Sequence, residues 1–297
     1  MSILELCKVY HRRICQEIIR IIRRTKRKKR QGKVEEIEVE YPNFADVGNE
    51  ASMQIAWGIV DRIGCLGRGT EIHGQTSGGR FENTTKNFLQ QSFDLLQHLR
   101  PGKWQYSMQF PISQFDQYEH LANLEKIVED NSELASALGT DYIITPDILI
   151  GRWAVADQEV NQEVIVVDRE DEIAKLTPLR EANFDNPHLI LHASISCKWT
   201  LRSDRSQNAR TEALNLVRNR KGNLPHIVAV TAEPLPTRIA SLALGTGDLD
   251  CVYHFALTEL KETLAEIENE DQMDMLSILI EGRRLRDISD LPFDLAI

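Results

Sequence analysis

Residues 189–220 constrain this chain more than any other stretch. From 189 to 198 the odd positions are apolar (Leu189, Leu191, Ala193, Ile195, Cys197), and from His192 the even positions are polar (His192, Ser194, Ser196, Lys198). Such alternation is the two-residue period of a pleated strand. It predicts one packed face and one face carrying hydroxyls and an ammonium. The pattern breaks at Arg202-Ser203-Asp204-Arg205. After it, residues 206–220 show helical spacing, with Ala209, Ala213, Leu216 and Val217 on one side. A strand that delivers a lysine, then turns through arginines and an aspartate into a helix, suits a metal-dependent nuclease if the rest of the chain supplies carboxylates.

Composition narrows the alternatives. At 297 residues, 42% hydrophobic and 27% charged, the chain is an ordinary soluble globular protein of one or two domains. No apolar run approaches a membrane span and no secretory apolar segment opens the sequence, so a cytoplasmic location is expected. The five cysteines are scattered and form no CxxC pair, so spacing indicates neither a disulfide framework nor a zinc site. A net charge of −10 argues against indiscriminate coating of nucleic acid. Basic excess is local. Residues 23–30 hold seven basic groups and no acid, and residues 202–221 hold six basic against two acidic ones.

Read in order, residues 3–24 place apolar groups at helical spacing, and the basic run to Arg30 precedes an acidic one from Glu35 to Glu40. Residues 1–45 thus read as an N-terminal basic helix and linker, either a solvated helix end or an arm for DNA or another subunit. Residues 46–297 read as a single domain. Helices are expected at 52–63, 81–99, 118–138 (broken near Asn131), 206–220, 237–244, 257–267 and 273–280. Strands are expected at 103–110, 141–153, 163–167, 189–198, 226–231 and 250–255. Residues 64–80 form a glycine-rich loop without the spacing of a phosphate-binding motif. The sum is mixed α/β, a central sheet of about five strands flanked by helices.

Four positions offer the chemistry. Asp147 stands in an apolar run, where a lone carboxylate needs a partner; it is a salt-bridged structural acid or a metal ligand. Lys198 shares a strand face with Ser194 and Ser196, and by itself would be a lysine reaching for water at a strand end. Ser196 carries no charge and is a poor sole metal ligand. Glu212 borders the inward face of the following helix beside small alanines, free to reach the strand or to pair with Arg205 or Arg210. Glu82, placed in the first turn of its helix, either favours the helix dipole or adds a carboxylate. Arg202, Asp204 and Arg205 carry the donors and acceptor that match guanine O6 and N7 and the cytosine amine, or form a helix cap with flanking ion pairs.

The block ASISCKWTLRSDRSQNAR and the segment TEALNLVRNRKGNLPHIV after it resemble the NgoMIV-type restriction endonucleases, within the PD-(D/E)XK nuclease superfamily. GQTSGGRFE, LQHLRPGKW, LGTDYIITPDI, TAEPLPTRIASLALGTGDLDCVYHFAL and DISDLPFDLAI continue the likeness from about Asp46 onward. It is weak before that point and through residues 151–187. The resemblance implies a restriction-endonuclease-like fold and magnesium-dependent cleavage of double-stranded DNA at GCCGGC, after the first G, leaving four-base 5′ overhangs. It implies Asp147, Ser196, Lys198, Glu212 and Glu82 as the catalytic set, with Asp147, Glu212 and Glu82 holding two magnesium ions. Arg202, Asp204 and Arg205 would read the inner CCGG, Asp46 and Arg238 the outer G·C pair, and Gln75 the minor groove. It also implies a tetramer of two back-to-back dimers and a cognate DNA methyltransferase. A structure-specific nuclease of the same superfamily would not need the Arg-Ser-Asp-Arg group, and a DNA-binding module without catalysis would not need both Asp147 and Lys198.

Overall fold

A six-stranded sheet runs through the molecule, its strands lying side by side in chain order. The structure, a computed structural model, describes residues 1–30, 33–65, 74–130, 133, 144–201, 203–245 and 247–297, with side chains left out at 26–30, 33–35, 37, 129 and 203–206. Strands β3 (Trp104–Met108), β4 (Ile148–Arg152) and β5 (Ile190–Lys198) pair antiparallel. From β5 onward, β6 (His226–Thr231), β7 (Cys251–His254) and β8 (Leu285–Asp287) pair parallel.

Helices cover this mixed sheet: α1 (Ile3–Glu17), α2 (Glu50–Arg62), α3 (Gly74–Leu95), α4 (Glu119–Glu129), α5 (Ser203–Asn219), α6 (Pro236–Ala243), α7 (Leu257–Ile267) and α8 (Glu270–Glu281). Helix α3 packs on β5 and β3, and α1 packs on α3. None of the described helices is long and apolar enough to cross a membrane.

The central strand is buried more completely than its alternation predicts. Every residue from Leu191 to Cys197 is buried, including His192, Ser194 and Ser196. A strand with parallel pairing on one side and helices packed around it loses its solvent face. The alternation is also interrupted. Ile150 lies opposite Ala193 and Gly151 opposite Leu191, so His192 is passed over in a bulge.

Three expectations about local structure away from the site need correction. Residues 3–24 do not form one helix. Ser2 and Glu5 form a reciprocal capping box that starts α1, the helix stops at Glu17, and its Leu6, Tyr10 and Ile14 are buried. In place of the expected helix end and linker there is a separate antiparallel hairpin, β1 (Ile21–Arg30) with β2 (Lys33–Pro42). Its register sets the basic run against the acidic one, Arg23 opposite Glu40 and Arg27 opposite Glu36. Arg23 donates from Nε and Nη2 to Glu40 at 3.0 and 2.6 Å. Opposite charges across a ladder stabilise the pairing, which helical periodicity cannot reveal.

The second correction concerns residues 163–167, which are not a strand. Val164, Ile165 and Val166 are exposed, and Asn161 Oδ1 accepts from Val166 N and Val167 N at 2.9 and 3.0 Å, satisfying the backbone locally. The third concerns the cysteines. Cys15, at the end of α1, is bonded to Cys65, just beyond α2, across a sequence separation of 50. In a reducing compartment these would be two thiols held at bonding distance. The broken part of the expected helix at 118–138 and the start of the strand at 141–153 fall largely outside the described residues.

Two buried histidines link the sheet to pH. His254 is 0% exposed; its Nδ1 accepts from Ala256 N and its Nε2 faces the Glu233 carbonyl, both at 3.2 Å, which fits the neutral ring. Burial pushes it down to about 4, and His192 to about 3. An unfolded histidine takes its proton near pH 6.5, so between there and about pH 4 the unfolded chain binds more protons and these groups lose stability on acidification. Glu233, pushed up to about 7 by burial, works in the opposite sense over part of that window. The test is therefore a comparison: His254→Gln should lower stability near pH 8 but lose less than the wild type between pH 6.5 and 4.5, measured by urea unfolding. Parallel pH profiles for the two proteins would overturn this account of His254.

Candidate active site

Two adjacent strand ends build the site. Asp147 immediately precedes β4, and Lys198 closes β5; the register pairs Ile148 with Ile195, which brings the two together. Asp147 Oδ2 accepts from Lys198 Nζ at 2.9 Å and from Cys197 N at 2.7 Å. The backbone donor fixes the carboxylate and the ammonium neutralises it. Both side chains are mostly buried, with 16% of Lys198 and 23% of Asp147 exposed. Burial works to lower the Lys198 pKa, but attraction and a hydrogen bond from Asp147, with help from Glu212, leave it above the usual lysine value.

Two further carboxylates approach from the flanking helices. Glu212 sits on α5 beside the buried Ala209, Ala213 and Leu216. Its pKa is raised by burial, lowered in part by Lys198 and raised again by Asp147. Arg210 is not its partner: that guanidinium donates to the Leu244 carbonyl. Glu82 comes from α3, with its pKa raised by burial and by Asp147 and opposed by Lys198.

The glycine-rich residues before Glu82 were expected to be loop. Instead α3 begins at Gly74, so Glu82 lies well inside the helix and not in its first turn. Burial of Ser77, Phe81, Thr84 and Thr85 outweighs the poor helix propensity of Gly78 and Gly79. The helix-dipole reading of Glu82 is thereby removed.

Ser196 Oγ and Glu82 Oε2 are buried without a protein hydrogen-bond partner. Hard carboxylate oxygens around one lysine form a donor set suited to a divalent cation such as magnesium. Among the described residues, no three His, Cys, Asp or Glu side chains are gathered closely enough to hold a metal as they stand. Lys198 occupies Asp147 Oδ2, while Glu82 and Glu212 act on the pair through their charges.

The expected base-reading residues divide by what is described. Arg202 and the side chains of Asp204 and Arg205 lie outside the described residues, although α5 begins at Ser203, directly after Arg202. Asp46 and Arg238, far apart in sequence, form an ion pair, each 35% exposed. Gln75 is exposed in the first turn of α3. Glu233 was missed. It is 1% exposed, accepts from Leu201 N and Leu235 N, and stands 3.8 Å from Arg238. Its signal was an acid beside a proline at the end of a buried apolar run, the same signal that singled out Asp147.

A six-stranded mixed sheet that pairs Asp147 with Lys198 at its two central strands, with the charges of two helix-borne glutamates bearing on them, is the frame of a restriction-endonuclease-like α/β protein. The comparisons are more specific. Residues 10–297 match the NgoMIV restriction enzyme family, and the chain belongs to it. It is 52% identical over 258 residues to the type II restriction enzyme NgoMIV of Neisseria gonorrhoeae, covering 85% of this chain and 89% of that one. Two solved structures of Bse634I, one with cognate DNA, are more remote, at 14% and 13% identity and TM-scores of 0.34 and 0.33; each covers 82% of this chain and 97% of the other. The family is one of type II restriction endonucleases, site-specific deoxyribonucleases.

Burial of a carboxylate, with a second one beside it, has a thermodynamic signature. Glu82 is held above its usual pKa, so its charged form destabilises the fold at neutral and higher pH, and protonation on acidification relieves this. In chelator, Glu82→Gln should raise the melting temperature at pH 8 by about 1–3 °C, with the gain shrinking toward pH 4.5. A gain independent of pH, or none, would show that burial and Asp147 do not disfavour the charged form of Glu82.

Proposed function

We propose that this chain cleaves double-stranded DNA at GCCGGC after the first G, with magnesium as cofactor, leaving four-base 5′ overhangs with 5′-phosphate and 3′-hydroxyl ends. One observation carries the reading: the hydrogen-bonded Asp147–Lys198 pair, with the charges of Glu82 and Glu212 bearing on it. It occurs in a chain that is 52% identical to a type II restriction enzyme.

Asp147, Glu212 and Glu82 would hold the magnesium, two ions per site. Magnesium bound there supplies neutralisation of the charge that grows on the phosphoryl oxygens. The Lys198 ammonium, fixed 2.9 Å from Asp147, orients the water for in-line attack on phosphorus. Cys197 N–H keeps the Asp147 carboxylate aimed while Lys198 engages the water. Ser196 adds no charge, which leaves the further acid to Glu212.

In the same reading Arg202, Asp204 and Arg205 contact the inner CCGG, Asp46 and Arg238 the outer G·C pair, and Gln75 the minor groove. Residues 46–297 form the endonuclease domain, to which α1 lends its buried face. The protein acts in the cytoplasm as a tetramer of two dimers on two DNA copies, beside a methyltransferase that protects the same sequence.

Incubation with magnesium and plasmids that contain or lack GCCGGC tests this directly. Discrete fragments are expected only from plasmids that contain the site, and none in EDTA. Lys198→Ala should abolish cleavage while retaining specific binding in a gel-shift assay. Nicking of every plasmid, or cleavage by Lys198→Ala, would overturn the reading.

A further inference from the structure

Glu233 has no place in the cleavage cluster, yet it is one of the most deeply buried charged side chains, at 1% exposed. An ionisable group is costly to bury unless its hydrogen bonds and charge are matched. The matches here join three segments. Oε2 accepts from Leu201 N at 2.9 Å, immediately before Arg202. Oε1 accepts from Leu235 N at 3.3 Å, at the start of α6. The same oxygen lies 3.8 Å from Arg238 Nη1, while Arg238 Nη2 bonds Asp46.

The residues just before Glu233 grip the other end of the same link. Thr231 Oγ1 donates to the Lys198 carbonyl at 2.8 Å, and Ala232 N donates to it at 3.3 Å. Residues 231–233 therefore hold residues 198–201 at both ends. A carboxylate needed only to start α6 would require the Leu235 contact alone. Contacts to Leu201 and Arg238 go beyond that need.

We infer that Glu233 is a positioning residue for sequence discrimination, holding the outer-pair reader Arg238 in fixed relation to Leu201, the residue from which the chain enters the Arg-Ser-Asp-Arg group. The inference rests on the proposed base-reading roles of Arg238, Asp46 and Arg202–Arg205. A carboxylate can do this because it offers two acceptor oxygens and a charge, so it can engage a backbone donor and a guanidinium together. Glutamine keeps the size and one acceptor but loses the charge that faces Arg238.

The test is a double-mutant cycle on the full chain, reading kcat/KM for duplexes bearing GCCGGC or ACCGGT, which differ only in the outer pair. Glu233→Gln should reduce the preference for GCCGGC at least about fivefold, the lower range for one bidentate base contact. Arg238→Ala should reduce it too, and adding Glu233→Gln to Arg238→Ala should reduce it no further. Melting curves without DNA show whether each variant folds; if the glutamine variant does not, Glu233→Asp enters the same cycle with the same expectation. Loss of preference in Arg238→Ala, with Glu233 variants unaffected or strictly additive, would overturn the inference and leave the base-reading roles standing. Preference that survives Arg238→Ala would sink those roles, and the inference with them.

Discussion

Everything at the site depends on one carboxylate oxygen. Asp147 Oδ2 takes the Cys197 N–H at 2.7 Å and the Lys198 ammonium at 2.9 Å. Mostly buried ion pairs contribute little net stability, because desolvation offsets much of their attraction. The pair is better understood as a fixed point. It exists because β4 runs antiparallel to β5 and begins where β5 ends, with Ile148 opposite Ile195. It then sets the charge felt by Glu82 and Glu212, both of which respond to Asp147 and Lys198 in opposite directions.

What the sequence made legible follows from the range of each signal. Periodicity is local, and it located β5, β6 and α7 to within a residue. It failed where partners are distant or where an apolar run has another use. Ile18, Ile21 and Ile22 suit a helix or a strand equally; only the pairing of Arg23 with Glu40 decides for the hairpin. Residues 164–166 look like a strand by composition, yet Asn161 satisfies the backbone and no sheet partner is needed. The Cys15–Cys65 bond has no local signal at all.

The site was legible for a different reason. A charged group inside an apolar run is a conflict between propensity and burial, and such conflicts collect where function overrides packing. Asp147 was found that way. Glu233 carries the same mark and went unread, because no partner for it was apparent until the fold brought Leu201, Leu235 and Arg238 around it. The other face of β5, which alternation predicts to carry hydroxyls and an ammonium, is closed by the fold as well: Ser194 and Ser196 are both buried.

Ser196 shows how this burial shapes the chemistry. Its hydroxyl has no hydrogen-bond partner and no charge. A second acid on β5 would have crowded Asp147 within one strand pair, where like charges in a low dielectric repel strongly. Placing the carboxylate at Glu212 moves it to α5, where Ala209 and Ala213 leave it room. That helix starts at Ser203, within the Arg-Ser-Asp-Arg group. Under the proposed reading, one rigid helix therefore carries a base-reading group in its first turn and a metal-holding carboxylate farther along. Reading and cutting would thus share one helix, and the link from Lys198 to Leu201 that leads into it is held at both ends by residues 231–233.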